Sequence, residues 1–442
     1  MCNIGALFCK EDRMWISNGR LIASMRRLRE IKHHLPSAAP KRSLYTMAMM
    51  VLFFVIFDGI IMYLAPIVMQ NAGVSLGTIG LILGLSSVAG MFFDVVLLRL
   101  LERTRYPAIF TYMFISALTV PYFLFGGTTI TFYLLAMAAW GLYYNLYFIG
   151  SLDFIRQTAG VSEATASFGV LKVFEGLGYL VAPFLGSLLL LTITVAYPVP
   201  LLLFVPLVIA FILFLLVCRI NRSPTRMFDA RKKNPLSTIT EIGIWKRVGV
   251  VIFPLLFLTL IINLVDAAVW TIGPIFSESL SIPGGLTGGA FMLAYTIPPL
   301  IVGWFAGRLV GRFGMKRIGL GSLLLGSLLL VLVGVLNTTA ALVLAIFFVS
   351  IFFSLIWPTI NGAFEASIDR SPEYHEEIET IGDWFTNIGD TLGPILGGYA
   401  AQFLGVQNSF VAMGVFGALV ALLLMRYTPR ELAAKIAEKV TI

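Results

Sequence analysis

The chain has 442 residues, 58% of them hydrophobic, with a mean hydropathy of +0.92 and only 12% charged. An ordinary soluble domain carries about twice that charge, roughly 25%, so a water-facing enzyme of this size is excluded, as is a disordered or nucleic-acid scaffold. The net charge of +8 therefore has to be located along the chain before it says anything about partners.

Residues 1–43 form a basic tail. Leu21, Met25, Leu28 and Ile31 share one helical face beside Arg26, Arg27, Arg29 and Lys32, a pattern expected to lie on an anionic inner leaflet. Twelve apolar stretches follow, each near the ~20 residues that cross a bilayer core. Six occupy 44–70, 75–100, 107–126, 129–152, 165–191 and 197–218, and six occupy 248–276, 287–310, 317–336, 340–365, 379–403 and 407–426. A charged loop at 219–247 divides them, and a tail at 427–442 ends the chain. The expected fold is all-α, with twelve transmembrane helices in two six-helix bundles, 44–218 and 248–426. With both termini placed in the cytoplasm, thirty of the 31 basic residues fall in tails, cytoplasmic loops or the cytoplasmic ends of spans, and the last, Lys172, lies inside span 5. One missed span would scatter these charges onto both faces. The expectation is a multi-pass plasma-membrane protein with cytoplasmic termini, its basic face on anionic lipid. Cys2, Cys9 and Cys218 have no zinc spacing and form no even disulfide set. No G-x-x-x-x-G-K-S/T loop and no H-E-x-x-H pair occurs. No cofactor, metal, catalytic residue or nucleic-acid partner is expected.

The two halves repeat at an offset near 210 residues. Asp58 matches Asp266, Ala65-Pro66 matches Gly273-Pro274, and Gly90 matches Gly303. Asp153 matches Glu365, and Ala182-Pro183 matches Gly393-Pro394. Parallel repeats around a central loop are the layout of a two-bundle transporter.

Two local motifs add to the layout. The segment "GWFAGRLVGRFGMKR" keeps Gly303, Arg308, Gly311, Arg312, Gly314, Lys316 and Arg317 of a loop signature G-x-x-x-D-R/K-x-G-R/K-R/K, with Gly307 in place of the acid. The first half keeps Gly90 and Asp94. Span 5 reads "GLGYLVAPFLGS", with Gly178, Pro183 and Gly186 matching an antiporter signature G-x-x-x-G-P-x-x-G-G. Span 11 reads "GDTLGPILGG", with Gly389, Gly393, Pro394, Gly397 and Gly398. Over roughly 43–430 the chain resembles the major facilitator superfamily of secondary transporters. The resemblance implies alternating access by rocking of two bundles, with spans 1, 4, 7 and 10 lining a central cavity. It also implies a cytoplasmic gate at Asp94, Asp153, Arg156, Arg308, Arg312 and Glu365, and bends at the two glycine–proline motifs.

Ionisable groups inside spans are rare and mark function. Asp58, Glu175, Asp266, Asp383 and Asp390 face a single base, Lys172. A carboxylic acid in low dielectric without a cation favours its protonated form. This surplus points to proton coupling through Asp58, Asp266, Asp390, Glu175 and Lys172, to a cationic substrate, or to both. No Arg lies deep in a span, which argues against a phosphate-bearing solute. Lys172 and Glu175 also read as an intrahelical pair. Span 4 presents Trp140, Tyr143, Tyr144 and Tyr147, span 7 Asn263 and Trp270, and span 10 Trp357 and Asn361. Such aromatics hold organic cations by cation–π contact, stack on sugars, or simply pack helices. The expected function is transport of a small organic solute by a monomer, with H+ as coupling ion and export of an amphipathic or cationic compound favoured. Uptake of a neutral solute such as a sugar by proton or sodium symport is the alternative, followed by a non-transporting receptor.

Overall fold

A computed structural model describes residues 41–101, 104–158, 164–191, 193, 201–221, 238–280, 289–428 and 431–433. The amphipathic tail at 1–40 and residues 222–237 of the central loop lie outside them. Twelve long helices account for almost all of the described chain. The first six are α1 (Lys41–Asn71), α2 (Leu76–Leu100), α3 (Tyr106–Gly126), α4 (Ile130–Thr158), α5 (Ala164–Leu190) and α6 (Phe204–Ile220). The second six are α7 (Thr238–Ser279), α8 (Ala290–Phe313), α9 (Met315–Val335), α10 (Thr339–Arg370), α11 (His375–Leu404) and α12 (Val406–Tyr427). Helices and closed barrels alone satisfy every backbone group inside lipid, and apolar runs near ~20 residues have the length of spanning helices.

Eleven of the twelve are long and apolar enough to cross a bilayer. The exception is α11, which carries Glu376, Glu377, Glu379, Asp383 and Asp390, and half of whose buried residues are glycines. Helix α7 starts ten residues before the expected span, because Thr238–Arg247 continues the helix beyond the bilayer-crossing part. At Gly314 and Gly405, φ values of 84° and 87° end α8 and α11. Glycine adopts this backbone without strain, so each chain reverses directly into the next helix.

The halves share four helix pairings, and the second adds a close α9–α12 pairing. In the first, α1 packs on α5 and α6, and α4 on α2 and α3. In the second, α7 packs on α11 and α12, and α10 on α8 and α9. The halves meet through α2 on α11, α5 on α8 and α1 on α7. An even number of alternating helices puts both ends of the chain at one end of the molecule. The inter-half seams lie at mid-depth and at the opposite, far end. A Cβ on Gly80 would stand 2.2 Å from the Pro394 carbonyl oxygen, and Gln402 Oε1 accepts the Gly77 N–H at 2.9 Å. Helices have no hydrophobic drive to associate within lipid, so small residues and hydrogen bonds make such seams. Towards the termini, Phe92 of α2 and Trp304 of α8 are exposed. At the far end the halves are held together along the α2–α11 seam.

Near the termini the second half clasps its own tail. Lys316 Nζ donates to the Thr428 carbonyl at 2.6 Å, and Arg370 donates to the Ala433 carbonyl at 2.9 Å and pairs with Glu431 at 2.7 Å.

Candidate functional site

Asp58 sits halfway along α1 and is 2% exposed. Its carboxylate is caged by three donors from α4 and α5. Trp140 Nε1 and the Tyr143 hydroxyl donate to Oδ1 at 2.8 and 2.5 Å, and the Tyr179 hydroxyl donates to Oδ2 at 2.7 Å. Trp140 and Tyr143 are one helical turn apart, so α4 presents both to the same oxygen. Deeper towards the termini, Glu175 accepts Lys172 Nζ at 2.8 Å and the Tyr147 hydroxyl at 3.0 Å. The Lys172–Glu175 pair is therefore intrahelical, with a third partner from α4.

The second half is sparser. The Tyr295 hydroxyl of α8 donates to Asp266 Oδ1, and the Ser350 hydroxyl of α10 donates to the Tyr295 carbonyl at 2.5 Å. Asp390 of α11 is partly exposed, lies in electrostatic range of Asp266, and has no hydrogen-bond partner among the described residues. Asp383, about two turns nearer the termini, is engaged elsewhere. Trp270 spans the halves: its ring stands 6.4 Å from Tyr179 and 6.3 Å from Tyr295, the latter edge-on. A continuous chain thus runs from Asp58 through Tyr179, Trp270 and Tyr295 to Asp266.

Tyr144 occupies the middle of this arrangement. It is 45% exposed although it lies at mid-depth, and Glu175, Asp58 and Asp390 all act on it electrostatically. Acids of both halves are thus within electrostatic range of its ring. Trp357 and Asn361 are partly buried on α10, with Trp357 packed on the core. Three residues expected to line the cavity are placed otherwise. Tyr143 is fully buried behind it and Tyr147 nearly so, each committed to a carboxylate. Asn263 is buried on the α7–α11 seam, where its Nδ2 donates to the Thr259 carbonyl at 2.7 Å. Helical spacing puts Asn263 near Asp266, but the close approach of Gly389 takes that face.

Of the six expected gate residues, Asp153 and Arg156 lie within electrostatic range of each other at the end of α4. Asp153 Oδ2 accepts the Tyr106 N–H at 2.8 Å and Gln157 Nε2 at 2.5 Å, so it ties the end of α4 to the first turn of α3. Arg308 and Arg312 are exposed, with Arg312 set 5.3 Å from the Phe313 ring. Arg156 and Glu365 are partly buried, and the Asp94 side chain lies outside the described residues.

The glycine–proline motifs lie on seams. A Cβ on Gly178 would meet the Leu52 carbonyl at 2.9 Å, and one on Gly186 the Tyr63 ring at 2.8 Å, so α5 fits closely on α1. A Cβ on Gly393 would meet the Leu264 carbonyl at 2.4 Å, and one on Gly397 the Ala268 side chain at 3.0 Å, where α11 fits on α7. Both helices stay continuous through Pro183 and Pro394. Tyr179, Tyr295 and the Tyr63–Glu278 hydrogen bond between α1 and α7 were not singled out from the sequence. Tyr179 stood inside the span-5 motif, one turn after Glu175, and that spacing was the available signal.

The sequence profile of the Major Facilitator Superfamily matches residues 43–375. Comparison with curated proteins finds no match. Among solved structures, the nucleoside transporter NupG superposes with a TM-score of 0.69 at 14% identity, covering 87% of this chain and 98% of that one. A bacterial homologue of the human lysosomal transporter Spinster, inward-facing and unoccupied, superposes with a TM-score of 0.66 at 14% identity, over 87% and 97%. A peptide transporter in complex with sulfate gives 0.65 at 15% identity, over 89% and 96%. At such identities the superpositions establish the fold alone, and the profile, which covers most of the chain, establishes the family. The chain belongs to the Major Facilitator Superfamily, and is a multi-pass membrane transporter and not an enzyme.

Proposed function

We propose that this transporter exports an amphipathic organic cation in exchange for protons, by alternating access across the plasma membrane with both termini in the cytoplasm. The observation that carries this reading is Tyr144, an exposed aromatic ring at mid-depth with carboxylates of both halves in electrostatic range of it. An aromatic face beside acids attracts a cation by its quadrupole and by direct charge. Close packing of α2 on α11 at the far end supports loading from the cytoplasm, the side from which an exporter loads.

The acids divide the work. Asp390 and Asp266 are the exchanging pair, because Asp390 has no competing donor and the two lie close enough to feel each other. Asp58, held by three donors, is a structural post. Lys172 and Glu175 stay paired. Asp153, Arg156 and Glu365 meet across the termini side in the opposite state. Proton-driven uptake of a neutral solute is the second reading, favoured by carboxylates and hydroxyls that also bind sugar hydroxyls.

The test uses the full chain in liposomes with an imposed pH gradient and ethidium as probe. Gradient-driven ethidium flux is expected in the wild type and absent in Asp266→Asn and Asp390→Asn. Unchanged driven flux in both variants refutes the coupling assignment, and no driven flux of ethidium in the wild type refutes the cation reading.

A further inference from the structure

Tyr63 lies beyond Asp58 on α1, towards the far end, and is fully buried. Its ring is wedged within the first half: a Cβ on Gly186 would stand 2.8 Å from it, so α5 packs directly against it. Its hydroxyl reaches out of that half and donates to Glu278 Oε1 at 2.5 Å, in the last turn of α7. Glu278 is partly exposed and stands on the wall of a far-end cavity of about 1320 Å³ that both halves line.

We infer that the Tyr63–Glu278 hydrogen bond is a latch between α1 and α7, which must break before the far end opens, and that Tyr63 is a positioning residue of the transport cycle. The bond joins the two bodies whose rocking alternating access requires, with one partner fixed by packing in each. Its neighbours at this end are of another kind. A Cβ on Gly80 would stand 2.2 Å from the Pro394 carbonyl oxygen, and one on Gly289 2.6 Å from that of Pro183. Those seams are close backbone packing, whose attraction is spread thinly over many atoms. A phenol donating to a carboxylate is a single directional bond, roughly twice as strong as one between neutral groups. The loops at this end contain no Lys or Arg, so an ion pair cannot do the same work and a hydroxyl supplies the donor. An interaction present in one state and absent from the other shifts the balance between them by its own strength. None of this depends on the solute or on the coupling ion.

Double electron–electron resonance on the full chain in nanodiscs reads the two ends separately, with Cys2, Cys9 and Cys218 changed to serine. Spin labels on Thr129→Cys and Asn337→Cys span the halves at the far end. Labels on Arg105→Cys and Gly311→Cys span them near the termini, and all four positions are exposed. Tyr63→Phe removes one hydroxyl and keeps both the ring and every other interaction of Glu278. It is expected to raise the ratio of far-end-open to far-end-closed molecules about tenfold. The far-end distance should lengthen and the termini-side distance shorten, with a thermal midpoint close to wild type. Glu278→Ala is expected to shift both distances in the same directions, and adding Tyr63→Phe to it should change nothing further. Opposite movement at the two ends marks a latch, because loosened packing would lengthen or broaden both distances together. Unchanged distances in both single variants overturn the inference, as does lengthening at both ends, or a Tyr63→Phe shift that persists in the Glu278→Ala background. No solute or gradient enters this measurement, so its failure leaves the export reading standing, and failed ethidium flux leaves the latch standing.

Discussion

Asp58 and Asp390 are both acids in the middle of a membrane helix, and their surroundings give them opposite roles. Three donors hold Asp58, and hydrogen bonds to a charged group are worth roughly 1.5–3 kcal/mol each. Asp58→Asn turns one acceptor oxygen into a donor facing another donor. It is expected to destabilise the fold by about 1–3 kcal/mol, read as a lower thermal midpoint in detergent. Tyr179→Phe should lower it as well. Asp390→Asn breaks no hydrogen bond among the described residues, so its midpoint should stay close to wild type while gradient-driven flux disappears. A variant at Asp390 that melts early and still transports would reverse these assignments. The depth of both acids was legible from their place in the spans. The donors were not, because Trp140, Tyr143 and Tyr179 stand 82 to 121 residues from Asp58 and meet it only when three helices pack.

At the scale of elements, the α2–α11 seam holds the halves together at the far end. Its glycines permit backbone contact that any side chain would block. Gly80→Leu would drive a side chain into the Pro394 carbonyl, so it is expected to hold the far end open and stop transport without loss of expression. The Gly77→Cys, Gln402→Cys pair tests the same seam from the other side. With Cys2, Cys9 and Cys218 changed to serine, oxidation should staple the far end shut and abolish flux, and reductant should restore it. Flux that continues after quantitative cross-linking would show that this seam need not open. The glycine–proline patterns in spans 5 and 11 were visible in the sequence. Their partners, α1 for one and α7 for the other, were not, since a small residue announces a close neighbour without saying which. The same limit explains Asn263: its helical spacing is right for the cavity, but Gly389 occupies that face.

For the whole molecule, the charge map makes a directional prediction. With native cysteines removed, a cysteine at Thr129 in the far-end loop should react with a membrane-impermeant maleimide on intact cells. One at Gly311, in open space near the termini side, should react only after permeabilisation. The reverse pattern would overturn the cytoplasmic placement of the termini and, with it, the loading side of the proposed exporter. The repeat was legible too, and four helix pairings recur in both halves.

The number and order of the long helices and the family were determined by the sequence by itself. These rest on hydropathy, charge and spacing, which are local sums along the chain. Which acid is caged, which seams hold the far end and which side chains join the halves there were decided only by tertiary structure. Hydrogen bonds and seams are pairwise contacts between helices far apart in sequence, and in lipid such contacts, more than apolar burial, determine how the helices sit against one another.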